Sequence, residues 1–282
     1  MQSKGHRAVS ILEMAEAVEA HAWADMVVAT PPALRRAAGV SVELLGQGCV
    51  ISATALPGLL FNRAIAVGRE VAAIGRAVEH FEERGIGRFL LHLGPAARQP
   101  EVSALLRGHG IERYRRAWDK FLRSAAQEPP SIATDLDIRP ARRADGEACG
   151  RLLAGVFESG EPSADLFAAL VDRPRWHVLV ACAPGDATRR PVAVAGLFTH
   201  GKLGHLAFAA TDPAHRRRGA QGALMVHRIR KAAALGCRWL TTETGEPLPG
   251  EPNSSHDNML RCGFRLAQRR DNYAPIGVSW TP

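Results

Sequence analysis

The segment Thr211-Asp212-Pro213-Ala214-His215-Arg216-Arg217-Arg218-Gly219-Ala220-Gln221-Gly222-Ala223-Leu224 has the composition of a pyrophosphate site. Three consecutive arginines precede a glycine-containing turn, and an apolar-periodic stretch follows it. Glycine lets backbone approach a ligand closely, successive N–H groups in such a turn form a concave nest, and a helix N-terminus adds partial positive charge. Arg216, Arg217 and Arg218 supply charge-assisted hydrogen bonds to phosphate oxygens. Taken alone, the same residues are equally compatible with a solvated basic turn that caps a helix.

The elements that would hold this turn can be read on both sides of it. His205 to Thr211 reads as a strand running into Asp212-Pro213, and a long helix follows, in which Met225, Ile229 and Ala232 share a face while Arg228, Arg230 and Lys231 lie elsewhere. Upstream, Asp135 to Arg142 is a predicted strand, Gly146 to Phe157 and Ser163 to Asp172 predicted helices, and His177 to Cys182 and Pro191 to Thr199 predicted strands. Downstream come a strand over Trp239 to Thr244, a Gly/Pro-rich loop, a short helix over Ser255 to Arg261 and a last extended stretch from Phe264 towards Tyr273.

Ala125-Ala126-Gln127-Glu128-Pro129-Pro130-Ser131 breaks the pattern, its tandem prolines favouring an extended connection near residue 130. Before it, strands at Val40 to Leu45, Val50 to Leu56 and Ala64 to Val67 precede a helix carrying Val71, Ile74, Val78 and Phe81. The order repeats the later part of the second half. Arg88-Phe89-Leu90 parallels Arg238-Trp239-Leu240, and Gly110-Ile111 parallels Gly263-Phe264, both some 150 residues apart. Duplication is the natural explanation.

Composition narrows the classes further. A chain of 282 residues, 46% apolar and 23% charged, is long enough for two domains with cores of their own and is not a disordered chain. No apolar run is long enough to span a bilayer, and Met1 to Arg7 with Glu13, Glu16 and Glu19 lacks a signal-peptide core, so no membrane role and a cytoplasmic location are expected. Cys49, Cys149, Cys182, Cys237 and Cys262 are scattered singly, which predicts buried thiols and no metal. The net charge of +8 comes mostly from arginine, without the interleaved aromatics of a single-strand binder, which disfavours nucleic acid. No G-x-G-x-x-G fingerprint follows an early strand, as a dinucleotide fold requires.

The basic turn resembles motif A of the GNAT superfamily of N-acetyltransferases, Q/R-x-x-G-x-G/A after a strand and a proline: Arg216 takes the first position and Gly219 the fourth. Gln221 stands where the second Gly or Ala belongs, and Gly222 arrives one residue late. Pro252-Asn253-Ser254-Ser255-His256-Asp257-Asn258-Met259-Leu260-Arg261-Cys262-Gly263-Phe264 resembles the family's asparagine-containing helix ending in Gly-Phe. The resemblance implies an α/β (α+β) fold of two tandem GNAT-like domains, each a mixed, mostly antiparallel central sheet flanked by helices. Residues 1–130 would form a degenerate copy, with Gly68-Arg69-Glu70 in place of the basic turn, and 131–282 the domain that binds acetyl-CoA and releases CoA.

By the same resemblance, Ala209, Ala210 and Thr211 belong to a bulged strand that splays from its neighbour to receive the pantetheine arm. Ala220, Gln221, Gly222 and Ala223 open the helix below the pyrophosphate, and Asn253 or Asn258 reaches the cofactor from the other side or simply caps its helix. The implied reaction is direct attack by a primary amine, which needs a base to take the ammonium proton. Glu243, in Thr241-Thr242-Glu243-Thr244 beside the splayed gap, is the candidate, ahead of His205, Asp212 and Glu246. Met259 stands where many relatives carry a thiolate-protonating tyrosine, which leaves Tyr273 or water for that step. The acceptor is a small-molecule or peptide amine and the protein a monomer or homodimer; a non-catalytic acyl-CoA-binding regulatory module is the alternative.

Overall fold

The computed structural model describes residues 10–56 and 58–279; Met1 to Arg7, read above for a signal peptide, lie outside them. The first half comprises α1 (Ile11–Ala29), α2 (Pro32–Ala37), β1 (Val40–Leu45), β2 (Gly48–Ala53), β3 (Arg63–Ile65), α3 (Val71–Glu82), β4 (Leu90–Leu93), α4 (Pro100–Gly108), β5 (Ile111–Arg113) and β6 (Trp118–Ser124). The second comprises β7 (Asp137–Pro140), α5 (Gly146–Val156), α6 (Pro162–Ala168), β8 (Trp176–Cys182), β9 (Pro191–His200), β10 (Leu203–Thr211), α7 (Ala220–Ala234), β11 (Trp239–Gly245), α8 (Ser254–Arg261) and β12 (Arg265–Pro275).

The strands form one mixed sheet in the order β1-β2-β3-β4-β12-β6-β11-β10-β9-β8-β7, with β5 on β12. Among the described strands only β3/β4 and β10/β11 pair in parallel. The two halves are joined by an exchange of strands. β6 leaves the first half to lie antiparallel between β11 and the start of β12, Lys120 opposite Glu243 on one side and Gln268 on the other. Beyond Arg270, β12 crosses the other way: Asp271, Asn272 and Tyr273 pair with Leu93, His92 and Leu91 of β4, and Tyr273 also with Arg113 of β5. Each half is thus completed by a strand from the other.

Helix α1 closes the same seam. A reciprocal capping box starts it, Glu13 N donating to Ser10 Oγ and Ser10 N to Glu13 Oε2 at 3.1 and 2.7 Å. It packs on β2 and β3 of the first half and on β9, β10 and α6 of the second. Its buried positions, including Val18, Trp23, Met26 and Val27, join a core with Ile51 and Phe61 from one half and Phe167, Trp176 and Phe198 from the other. Burying each such side chain contributes roughly 1.5–3 kcal/mol, so the halves share their stability.

Helix α7 corrects the reading of a single apolar face. Met225, Ile229 and Ala232 are buried as expected, but so are Leu224, Val226 and Arg228, the last only 2% exposed. Its guanidinium reaches the sheet, where Nη1 donates to the carbonyls of Gly196 and Ala207 at 3.0 and 3.2 Å and Nε to Leu224 O at 3.3 Å. A buried charge needs such partners. All five cysteines are free and buried. Among the described residues no helix is long and apolar enough to cross a membrane.

Candidate active site

The opening in the sheet begins in β10. Its register with β9 slips between Ala207 and Ala209, and Phe208 takes a left-handed φ of 38°, a β-bulge. Pairing with β11 ends at His205↔Thr241. Past that point Thr242 Oγ1 donates to Leu206 O at 2.9 Å, and Arg228 holds the carbonyl of Ala207, so side chains replace the missing ladder at the mouth of the gap. Ala209, Ala210 and Thr211 continue beyond it with one side unpaired by β11.

The basic turn follows. Asp212 accepts from Ala214 N at 2.9 Å, and Pro213–His215 forms a single 3-10 turn. Arg217 and Gly219 then take φ of 62° and 77°. A Cβ on Gly219 would fall 2.2 Å from Ala133 O, so the turn requires glycine for both conformation and space. Among the described residues no side chain caps α7, which leaves its first-turn N–H groups available to an anion.

Ala209, Ala210, Thr211, Arg216, Arg217, Gly219, Ala220, Gln221, Gly222 and Asn258 line one open cleft of about 700 Å³, with Ser255 and Arg261 on the α8 side. Arg216 and Arg217 are exposed there and pair with no carboxylate among the described residues. Asn258 Nδ2 donates to Gln221 Oε1 at 2.7 Å, and Gln221 Nε2 to Ser255 Oγ at 2.8 Å, so Gln221, the departure from motif A, ties α7 to α8.

Three other candidates stand outside the cleft. Arg218 turns away to pair with Asp135, while Thr134 Oγ1 donates to its carbonyl at 2.7 Å. Ala223 is buried beneath the turn. Asn253 caps α8, accepting from Ser255 N and His256 N at 3.0 and 3.1 Å and donating to Gly245 O at 2.6 Å.

A second, smaller cavity of about 200 Å³ adjoins the cleft, and Ala209, Gln221 and Ser255 line both. Glu243 lies on its wall across the gap from the bulge, with Trp23, Arg63 and Trp118 supplied by the first half. Behind Glu243 runs a buried chain of charges. Lys120 Nζ is 3.2 Å from Glu243 Oε2 and 2.5 Å from Glu19 Oε2, and Arg270 Nη1 is 2.7 Å from Glu19 and 2.8 Å from Glu16.

These neighbours divide the two central carboxylates. For Glu243, burial and then the Glu19 charge raise the pKa, and Lys120 restrains the rise. Burial would raise Glu19 too, but Arg270 and Lys120 outweigh it and hold its carboxyl well below the usual range. His205, 3.6 Å from Glu243, is pushed down to about 3 by burial and then by Lys120, so it is neutral.

Neither tyrosine of the chain lines the cleft or the cavity. Tyr273 sits in the part of β12 paired with β4 and β5 and packs on the core of the first half, because the exchanged strand carries it away from the gap. Met259 lines the cavity. Asp212 belongs to the turn, and Glu246 is spent on Ala117 N at 2.8 Å and on Arg269 at 2.8 Å. The sequence reading missed Trp23, Arg63, Trp118 and Lys120, whose places depend on contacts across the whole chain. Arg228 carried a local signal, lying one turn from Leu224 among buried positions of the helix.

The bulged strand, the basic turn and the uncapped helix lie in a mixed sheet flanked by helices, a fold shared with solved GNAT structures. Residues 155–246, a third of the chain, match the family model described as an acetyltransferase (GNAT) domain. Solved structures share the fold over nearly the whole chain. They include a GCN5-related N-acetyltransferase from Kribbella flavida (TM-score 0.61, 15% identity, 93% of this chain and 96% of that one). Another is a GCN5-related N-acetyltransferase from Sphaerobacter thermophilus (0.58, 14%, 94% and 93%). A third is a tandem GNAT protein from the clavulanic acid biosynthesis pathway (0.57, 15%, 94% and 96%). No curated protein matches the chain in sequence.

Proposed function

We propose that the protein transfers the acetyl group of acetyl-CoA to a primary amine by direct attack, with one cofactor site per chain, in residues 131–282. The observation that carries this reading is the meeting of the two cavities at the bulge. The pyrophosphate would rest on the N–H groups that open α7 and on Arg216 and Arg217, and the pantetheine arm would follow Ala209 to Thr211 into the gap. The thioester then lies where Ala209 separates cleft from cavity, facing Glu243.

Glu243, with its raised pKa, takes the proton from the acceptor ammonium. The neutral amine forms a bond to the acetyl carbon, backbone N–H groups of the bulged strand stabilise the oxyanion, and the C–S bond breaks. Without a tyrosine at the cavity, the second N–H proton, released as the tetrahedral intermediate collapses to the amide, passes through water to the leaving thiolate. Residues 1–130 serve as a degenerate copy: α3 starts after Arg69 and Glu70, which pair with each other at 3.6 Å, so its turn carries no net cation for a pyrophosphate.

The missing tyrosine also suits a non-catalytic acyl-CoA-binding module, and one experiment separates the two. Acetyl-CoA is titrated calorimetrically, and CoA thiol release is followed with a panel of primary amines. One site per chain, with turnover lost in Glu243→Gln, supports the enzyme; tight binding with no turnover supports the module; no binding removes both.

A further inference from the structure

Arg63 is a buried charge that the transfer step does not use. It comes from β3 and is 0% exposed, yet among the described residues Nε and Nη2 have no hydrogen-bond partner and no carboxylate lies within ion-pair distance. Buried guanidinium groups are ordinarily saturated by carboxylates or carbonyls, as Arg228 is here. The nearby carboxylates are already engaged, Glu19 by Lys120 and Arg270 and Glu243 by Lys120.

The side chain is nevertheless held in place. Its Cζ lies 4.7 Å from the centroid of the Trp23 ring and 5.1 Å from that of Trp118. Cation–π contact with both rings fixes the guanidinium and leaves its N–H edges as the part able to bind. Burial pushes its pKa down only to about 10, with Glu19 and Glu243 opposing the fall, so it stays charged at neutral pH. It lines the same cavity as Glu243, and aromatic side chains such as Phe157 and Phe208 cover other walls.

We propose that Arg63 binds the carboxylate of the acceptor, and that the acceptor is a free amino acid with an apolar side chain. The inference rests on the acetyltransferase reading above. Amine and carboxylate of one small zwitterion meet Glu243 and Arg63, and the apolar body packs on the aromatic walls. Polyamines and peptide N-termini lack the adjacent carboxylate, and a cavity of about 200 Å³ encloses a single residue rather than a chain. The products are an N-acetyl amino acid and CoA, the ammonium proton passing to Glu243 and on to solvent.

The test measures kcat/KM at saturating acetyl-CoA for leucine, methionine and phenylalanine against the amines that differ from them only by loss of the carboxylate. A site built to hydrogen-bond a group rejects analogues lacking it strongly, so wild type should favour the amino acids by at least about 100-fold. Arg63→Met should bring that ratio to within about 10-fold of unity, and Arg63→Lys should restore part of it. If Arg63→Met does not fold, the wild-type ratio decides alone. Equal or better turnover of the decarboxylated amines overturns the assignment and leaves the acetyltransferase standing. Turnover of neither set, while acetyl-CoA still titrates to one site, also overturns the assignment of Arg63. Absence of acetyl-CoA binding overturns the underlying reading as well.

Discussion

Glu243 draws its properties from three separate stretches of chain. It stands on β11, Lys120 comes from the exchanged strand β6, and Glu19 from helix α1. Replacing Glu243 by Gln keeps the shape and removes the proposed base, which should lower kcat/KM by about 10²–10⁴-fold with acetyl-CoA affinity unchanged by calorimetry. Lys120→Met removes the charge that restrains the Glu243 pKa, so the acid limb of the kcat/KM profile should move to higher pH. Leaving Glu19 with one cation fewer in the interior should also cost about 3–5 kcal/mol in denaturant unfolding. The Thr-flanked glutamate was legible in the sequence, as were Arg216 and Gly219, because their signal is local. The partners of Glu243 were not, since nothing within either segment shows which strand will lie beside β11.

At the scale of elements, the site depends on a strand that must stay open and a turn that must stay tight. Arg228 secures the first by holding the carbonyl of Ala207 at the bulge, and Gly219 secures the second. Gly219→Ala should destabilise the protein by more than the roughly 1–2 kcal/mol of a left-handed non-glycine residue, because its Cβ also meets the Ala133 carbonyl. Thermal unfolding measures this. Charge reversal at exposed Arg216 and Arg217 spares the fold, and should weaken acetyl-CoA at least about 10-fold through lost charge-assisted hydrogen bonds. The strands and helices of the second half were legible from periodicity. Helix α1 was not, because it is buried from several sides and shows no clean stripe, and β6 reads only as Trp-Asp-Lys-Phe-Leu-Arg-Ser, a polar-looking strand whose charges are satisfied across the seam.

At the scale of the molecule, the proline-rich break near residue 130 separates the chain but not the sheet. Because β6 lies between β11 and β12, residues 131–282 alone would lack a central strand and expose two unpaired edges. That fragment should show no cooperative thermal unfolding; a cooperative transition would contradict the shared-sheet account. The seam also sets the acid stability. Glu19 is held below its ordinary range, so its contribution is present above the usual carboxyl pKa near 4.3 and is lost as pH falls towards the folded value, lowering the melting temperature of the whole chain in one step. The most direct test of the central claim is amide hydrogen exchange with and without acetyl-CoA. Protection should appear at Ala209 to Thr211 and Arg217 to Gly222; protection absent there, or found instead at Ala66 to Ala73 of the first half, would contradict the assignment of the cofactor cleft.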